Sequence, residues 1–336
     1  MDYFLILPVL ASFFIVVIVL PLWIKKAKHA GLVWEDMNKN DGPLVAGSGG
    51  IVALLAFVIG VLILIAYRTF ILNTNTLLIE IFALLSSILF FAGVGLIDDL
   101  FGWKRGGLRR RDRIFLFGLA AIPLMVINAG RSGISLPFLG NVELGLIYPI
   151  FFIPLGIVGA TTTFNFLAGF NGLESGQGII LLSALGTVAF FTGNTWLSVV
   201  CAIMVASLLG FILFNFYPAK VFPGNSLTCS MGGLIAIIAI FGNFEKIAVF
   251  FFIPYIIEFV LKVKGRLVKQ SFGSPEKNGD LSLKYDKIYS LNHLAILLLN
   301  KSGVKASEKK AVILIWSFQI LVVLAGFIIF REGIFL

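Results

Sequence analysis

Long apolar runs separated by short polar stretches recur along the whole chain. Ten of them are read as membrane crossings, at about 4–24, 45–66, 77–97, 114–129, 144–161, 179–193, 196–217, 229–243, 246–262 and 312–331, with the fourth, sixth and eighth short. The runs are continuously apolar rather than alternating, which selects helices over the strands of a barrel. The expected fold is therefore an all-α polytopic membrane protein of about ten transmembrane helices. It forms one membrane-embedded domain over 1–336, with a polar loop insertion at about 262–311.

Composition agrees. The chain is 59% hydrophobic and 13% charged, with a mean hydropathy of +1.03. A soluble domain is nearer half apolar and a quarter charged, so this chain could not cover its own surface with polar groups. Cys201 and Cys229 have no partner at metal-binding or redox spacing and read as buried small hydrophobes. His29 and His293 are isolated. The first apolar run is too long for a cleavable signal peptide and is followed by no small-residue cleavage pattern.

Charge orients the helices. With the N-terminus outside, the inner loops 25–44, 98–113, 162–178, 218–228 and 262–311 hold 4, 6, 0, 1 and 11 Lys plus Arg, which is 22 of the 26. Only Arg68, Arg131, Lys246 and Arg331 fall outside. Positive residues resist translocation, so the basic loops are expected to be cytoplasmic. The net charge of +9 is mostly this topology signal. No basic soluble face exists for a nucleic acid.

The polar features that suggest chemistry share that inner side; the outer loops are plain apart from a segment near 130–143. Asp98 and Asp99 close an apolar run, and two adjacent carboxylates at a helix C-terminus repel each other and oppose the dipole. A divalent metal or a neighbour such as Lys104, Arg105 or Arg113 would relieve them; a solvated pair at the membrane edge is the plain alternative. The third loop, Asn165-Phe-Leu-Ala-Gly-Phe-Asn171-Gly172-Leu-Glu174-Ser-Gly-Gln-Gly, is rich in amide and carboxylate oxygens that suit a hard cation. Polar atoms are costly so near a bilayer, which points to a ligand site. In the fourth loop, Pro223-Gly224-Asn225-Ser226 is either a helix N-cap at Asn225 or Ser226 or an anion or metal site. The fifth loop reads as a lid or specificity element.

Together, GLIDDL, NFLAGFNGLESGQG, PGNS, the DMNK segment of the first loop and the SFGSPEKNGDLSLKYDKIYSL stretch resemble the polyprenyl-phosphate N-acetylhexosamine-1-phosphate transferases, glycosyltransferase family 4. The similarity is greatest to the archaeal and eukaryotic UDP-GlcNAc–dolichyl-phosphate branch. The resemblance implies transfer of GlcNAc-1-phosphate from UDP-GlcNAc to a polyprenyl (dolichyl) phosphate, with release of UMP, at the first membrane step of lipid-linked glycan assembly. It implies Mg²⁺ or Mn²⁺ as cofactor and Asp98 and Asp99 as the catalytic pair. Asn165 and Asn225 are implied as metal ligands, and Asn38, Lys104, Arg113, Asn171, Gly172 and Glu174 as substrate contacts. Homodimerisation and, in an archaeal host, a plasma-membrane location follow from the same resemblance. The chain departs from the family in having Asn225 where Asp is usual, which removes one negative charge. It also has Thr162 at the first Asn of the bacterial NxxN pattern, and no Arg-His-rich segment near 270–276. A catalytically weakened paralogue and a membrane transporter are the competing readings.

Overall fold

The computed structural model describes residues 3–130, 133–136 and 140–335. Among the described residues, seven helices are each long and apolar enough to cross a membrane. They are α1 (Ile6–His29), α2 (Gly50–Ala66, prolonged by a π-helical turn to Ile71), α3 (Leu78–Arg105), α7 (Leu173–Phe191), α8 (Thr195–Asn215), α9 (Gly224–Gly242) and α13 (Glu308–Ile329). The remaining three apolar runs are interrupted. The run at 114–129 is split into α4 (Arg110–Ala120) and α5 (Ile122–Val126), and the run at 246–262 into α10 (Glu245–Phe251) and α11 (Ile253–Lys264). Each break falls just before a proline, Pro123 or Pro254, which lacks an N–H and clashes with the preceding turn. The run at 144–161 enters α6 (Ile153–Phe164) through a π-helical turn at Tyr148–Phe152, with Pro149 near the start of that turn and Pro154 near the start of α6.

Outside these runs lie α12 (Leu291–Lys301), α14 (Arg331–Phe335) and three antiparallel two-stranded ribbons. The ribbons pair β1 (Val33–Glu35) with β2 (Leu44–Ala46), β3 (Gly133–Leu136) with β4 (Gly140–Glu143), and β5 (Ser274–Pro275) with β6 (Leu281–Ser282). The all-helical expectation thus needs a small correction in the loops. The segment near 130–143, expected on the outer side, falls partly outside the described residues.

Helix α9 is the centre of the bundle, with 83% of its apolar window buried against 22% for α1. It packs on α3, α6, α7 and α2, while α8 packs on α1, α2 and α7. A helix surrounded on all sides needs small residues where backbones meet. At Gly95 of α3 an added Cβ would lie 2.5 Å from Asn225 O and Ser226 Cα, so only glycine lets α3 approach the first turn of α9. That contact sets Asp98 and Asp99, one turn further along α3, against the α9 N-terminus.

Two boundaries differ from the hydropathy reading. Helix α7 begins at Leu173 and α9 at Gly224, about one and a half turns before their apolar runs. Glu174, Ser175 and Gln177 are therefore helical and buried rather than loop residues. The hydropathy signal stops where polar side chains turn inward, but the backbone ladder does not.

Candidate active site

Asp99 is 5% exposed and caps α9 from another helix. Its Oδ1 accepts the Asn225 N–H (2.7 Å) and its Oδ2 the Ser226 N–H (3.4 Å). The first N–H groups of a helix have no internal partner, and the dipole there favours a carboxylate. Neither Asn225 nor Ser226 acts as the N-cap; Pro223 occupies that position, and α3 supplies the acceptor. Gly224 makes room for it, with φ +73° and a virtual Cβ only 2.3 Å from Asp99 Oδ2. Asp98 is 4% exposed and accepts three hydrogen bonds. They come from Leu108 N (2.6 Å), Arg113 Nη1 (2.9 Å) and Asn225 Nδ2 (2.9 Å). Of the cations that could relieve the pair, Arg113 is the one seen bonded to it. The Lys104 and Arg105 side chains lie outside the described residues.

The first and fourth loops are stitched together at this level. Ala46 bridges Val221, Phe222 N donates to Ala46 O (2.8 Å), and Gly49 and Gly50 donate to Phe222 O and Pro223 O (3.0 Å each). Asn215 holds the far side, donating to Val221 O (2.9 Å) and accepting from Ser175 Oγ (2.7 Å).

The third loop is held by buried charges. Asn171 donates its side-chain amide to Asp36 Oδ2 (3.0 Å) and its backbone N–H to Glu308 Oε1 (2.7 Å). Lys39 sits between the two carboxylates, paired with Asp36 and 3.4 Å from Glu308 Oε2. Glu174 accepts the Gly169 N–H (3.1 Å). Asn165, at the end of α6, accepts the Thr228 hydroxyl on Oδ1 (2.9 Å), which turns it toward α9.

The fifth loop covers this arrangement. Phe272 packs on Gly169, and its carbonyl oxygen lies 3.2 Å from His293 Nε2. His293 Nδ1 accepts the Tyr289 N–H (3.3 Å), so the proton is on Nε2 and the ring is neutral. Burial pushes its pKa below the ordinary value. Asn38 joins three loops, donating to Gly169 O (2.7 Å) and accepting from Gly273 N (3.2 Å).

These segments enclose a cavity of about 560 Å³. Asp98, Asp99, Asn165, Asn171, Glu174 and Asn225 all line it, so six of the ten residues singled out from sequence meet in one place. Asn38, Arg113 and Gly172 are not on its wall. Asn38 braces the loops, Arg113 reaches the site through Asp98, and Gly172 (φ +84°) starts α7 against Phe216. Sequence reading missed Asp36, Phe222, Gln270 and Phe272 on the wall, and Lys39 and Glu308 behind it. Asp36 stood in the DMNK segment; Glu308 carries no local signal at all.

The charged groups on the wall, among the described residues, are all carboxylates: Glu35, Asp36, Asp98, Asp99 and Glu174. No three His, Cys, Asp or Glu side chains among the described residues form a metal cluster by themselves. The hard oxygens come instead as the aspartate pair plus the amides of Asn165 and Asn225. This donor set fits Mg²⁺, which takes one or two carboxylates and completes its shell with water and phosphate.

A second cavity, about 850 Å³ and mostly apolar, runs along α6, α9 and α10. Gly156, Gly159 and Ala160 floor it, and Thr163 carries it to within two residues of Asn165 in the first cavity.

A multi-pass membrane protein with its carboxylates gathered around a polar cavity, next to an apolar groove, is the class defined so far. The glycosyl transferase family 4 model matches residues 81–243. Proteins of Saccharolobus solfataricus and Sulfolobus acidocaldarius, provisionally named UDP-N-acetylglucosamine–dolichyl-phosphate N-acetylglucosaminephosphotransferases, are each 36% identical. The matches cover 94% and 92% of this chain and 93% and 91% of those proteins. The Dictyostelium discoideum protein of that name is 29% identical, over 70% of this chain and 65% of its own. The chain belongs to glycosyl transferase family 4.

Proposed function

We propose that this protein transfers GlcNAc-1-phosphate from UDP-GlcNAc to a polyprenyl phosphate of the dolichyl type. The observation that carries this reading is the approach of an apolar groove, lined by Thr163 near the end of α6, to an acid-walled polar cavity lined by Asn165. A soluble nucleotide sugar and a lipid phosphate are the pair of substrates such an arrangement suits. The names of the archaeal and Dictyostelium relatives support the same reaction.

An oxygen of the lipid phosphate attacks the β-phosphorus of UDP-GlcNAc. The bond to the UMP oxygen breaks, and the products are polyprenyl-diphosphate-GlcNAc and UMP. Phosphoryl transfer is mainly positioning and charge neutralisation. Asp98 and Asp99 are held by five donated hydrogen bonds and so define fixed negative points facing the cavity. Asn171 and Glu174 offer polar contacts to the sugar nucleotide, and half-buried Phe222 an aromatic face for its base. A diphosphate would be repelled by a wall of carboxylates, which supports Mg²⁺ (or Mn²⁺) held by Asp98, Asp99, Asn165 and Asn225. Bound there, such an ion supplies positive charge to the phosphoryl oxygens.

Ten crossings with the N-terminus outside belong to this reading, the three interrupted runs each spanning as a broken helix. The 22-to-4 split of basic residues supports the cavity facing the cytoplasm. The organisms of the two 36%-identical relatives support an archaeal plasma membrane.

The test is UMP release by detergent-purified protein with UDP-GlcNAc, dolichyl phosphate and Mg²⁺. Release that requires both lipid and metal is expected; UDP-GlcNAc turnover without lipid would point to a hydrolase. The groove has its own test. Nothing lies within 4 Å of a Cβ placed on Gly159, so Gly159→Phe should fold while filling the apolar channel. The KM for dolichyl phosphate is expected to rise about tenfold or more, with the KM for UDP-GlcNAc unchanged. Equal changes in both would remove the groove from lipid binding.

A further inference from the structure

Residue 225 touches both carboxylates of the pair, by different atoms. Its backbone N–H donates to Asp99 and its side-chain Nδ2 to Asp98. An ionised carboxylate can only accept, so the amide must turn its NH₂ end toward Asp98 Oδ2. On the same oxygen Arg113 donates from 2.9 Å, and Leu108 N satisfies the other. The Asn225 Oδ1 is left for the cavity. We infer that Asn225 is a positioning residue that, with Arg113, pins and balances Asp98, so that the aspartate pair is fully built without any bound cation.

Among the described residues, Asp98 accepts from three N–H groups and Asp99 from two. An acid at 225 would bring a carboxylate oxygen to hydrogen-bond distance of Asp98 Oδ2 with no proton between them. Like charges at that separation in a buried setting demand either a proton or a cation. Asparagine therefore makes the integrity of this site independent of divalent metal, while aspartate would make it metal-dependent. The choice at 225 separates folding of the site from its loading.

The Mg²⁺ arm of the test rests on the proposed cation chemistry. The readout is unfolding, so failure of the transferase reading would leave the inference standing. Thermal unfolding of the purified protein would be followed in EDTA and in Mg²⁺ for wild type, Asn225→Asp, and the charge-swapped double variant Asp98→Asn with Asn225→Asp. Wild type is expected to unfold at nearly the same temperature in both. Asn225→Asp is expected to lose about 5 °C or more in EDTA and to recover most of it in Mg²⁺. The swap again sets one amide against one carboxylate but turns an NH₂ group toward Arg113, so it should regain part of the stability lost in EDTA. A single variant that fails to fold while the swap folds supports the same conclusion. Wild-type stability of Asn225→Asp in EDTA, or a swap no better than the single variant, overturns it.

Discussion

Alanine at Asp98 or at Asp99 is expected to lower the rate of UMP release about a hundredfold or more, the usual cost of deleting a group that organises charge in a transition state. The two variants should differ in stability. Asp99→Ala strips the acceptor from the Asn225 and Ser226 N–H groups, so it should also cost about 1–2 kcal/mol, as loss of a helix cap does. Asp98→Ala leaves Arg113, the Leu108 N–H and the Asn225 amide without their acceptor, and the first turn of α4 should loosen. Steady-state UMP release and a thermal melt on each variant separate the two effects. Wild-type turnover in both would remove the pair from catalysis.

Replacement of Lys39 by methionine should give the largest loss of stability, about 3–5 kcal/mol, because it leaves Asp36 and Glu308 as uncompensated buried charges. Both carboxylates are 3% exposed at the side chain, and both hold Asn171. Loss of the lysine would therefore misplace the third loop as well, and activity should fall more than the folded fraction does. Lys305→Met is the control: its pair with Asp280 has a lysine side chain 75% exposed, and such surface pairs contribute about 0–1 kcal/mol. Melts of the two variants, with the rate per folded protein, decide the matter. Equal small losses would mean that the Lys39 cluster is well hydrated and does not organise the site.

Much of this protein was determined by its sequence alone. Hydropathy is a local sum over a window, so the apolar runs marked every membrane-length helix but not the breaks beside Pro123 and Pro254, which two runs read as single crossings conceal. The concentration of polar residues in the DD, NFLAGFNGLESGQG and PGNS segments likewise pointed to one site, because polar groups near a bilayer need a reason. Only the tertiary structure could decide how those segments meet. Asp99 caps a helix 126 residues away, and Asn225 turns its amide to Asp98 because a carboxylate accepts and does not donate. Lys39 joins Asp36 to Glu308 across 269 residues. Asn38, Arg113 and Gly172 stand behind the cavity wall rather than on it. Local pattern reports which residues a membrane would exclude. Partnership between buried charges depends on distances that only the packed helices establish.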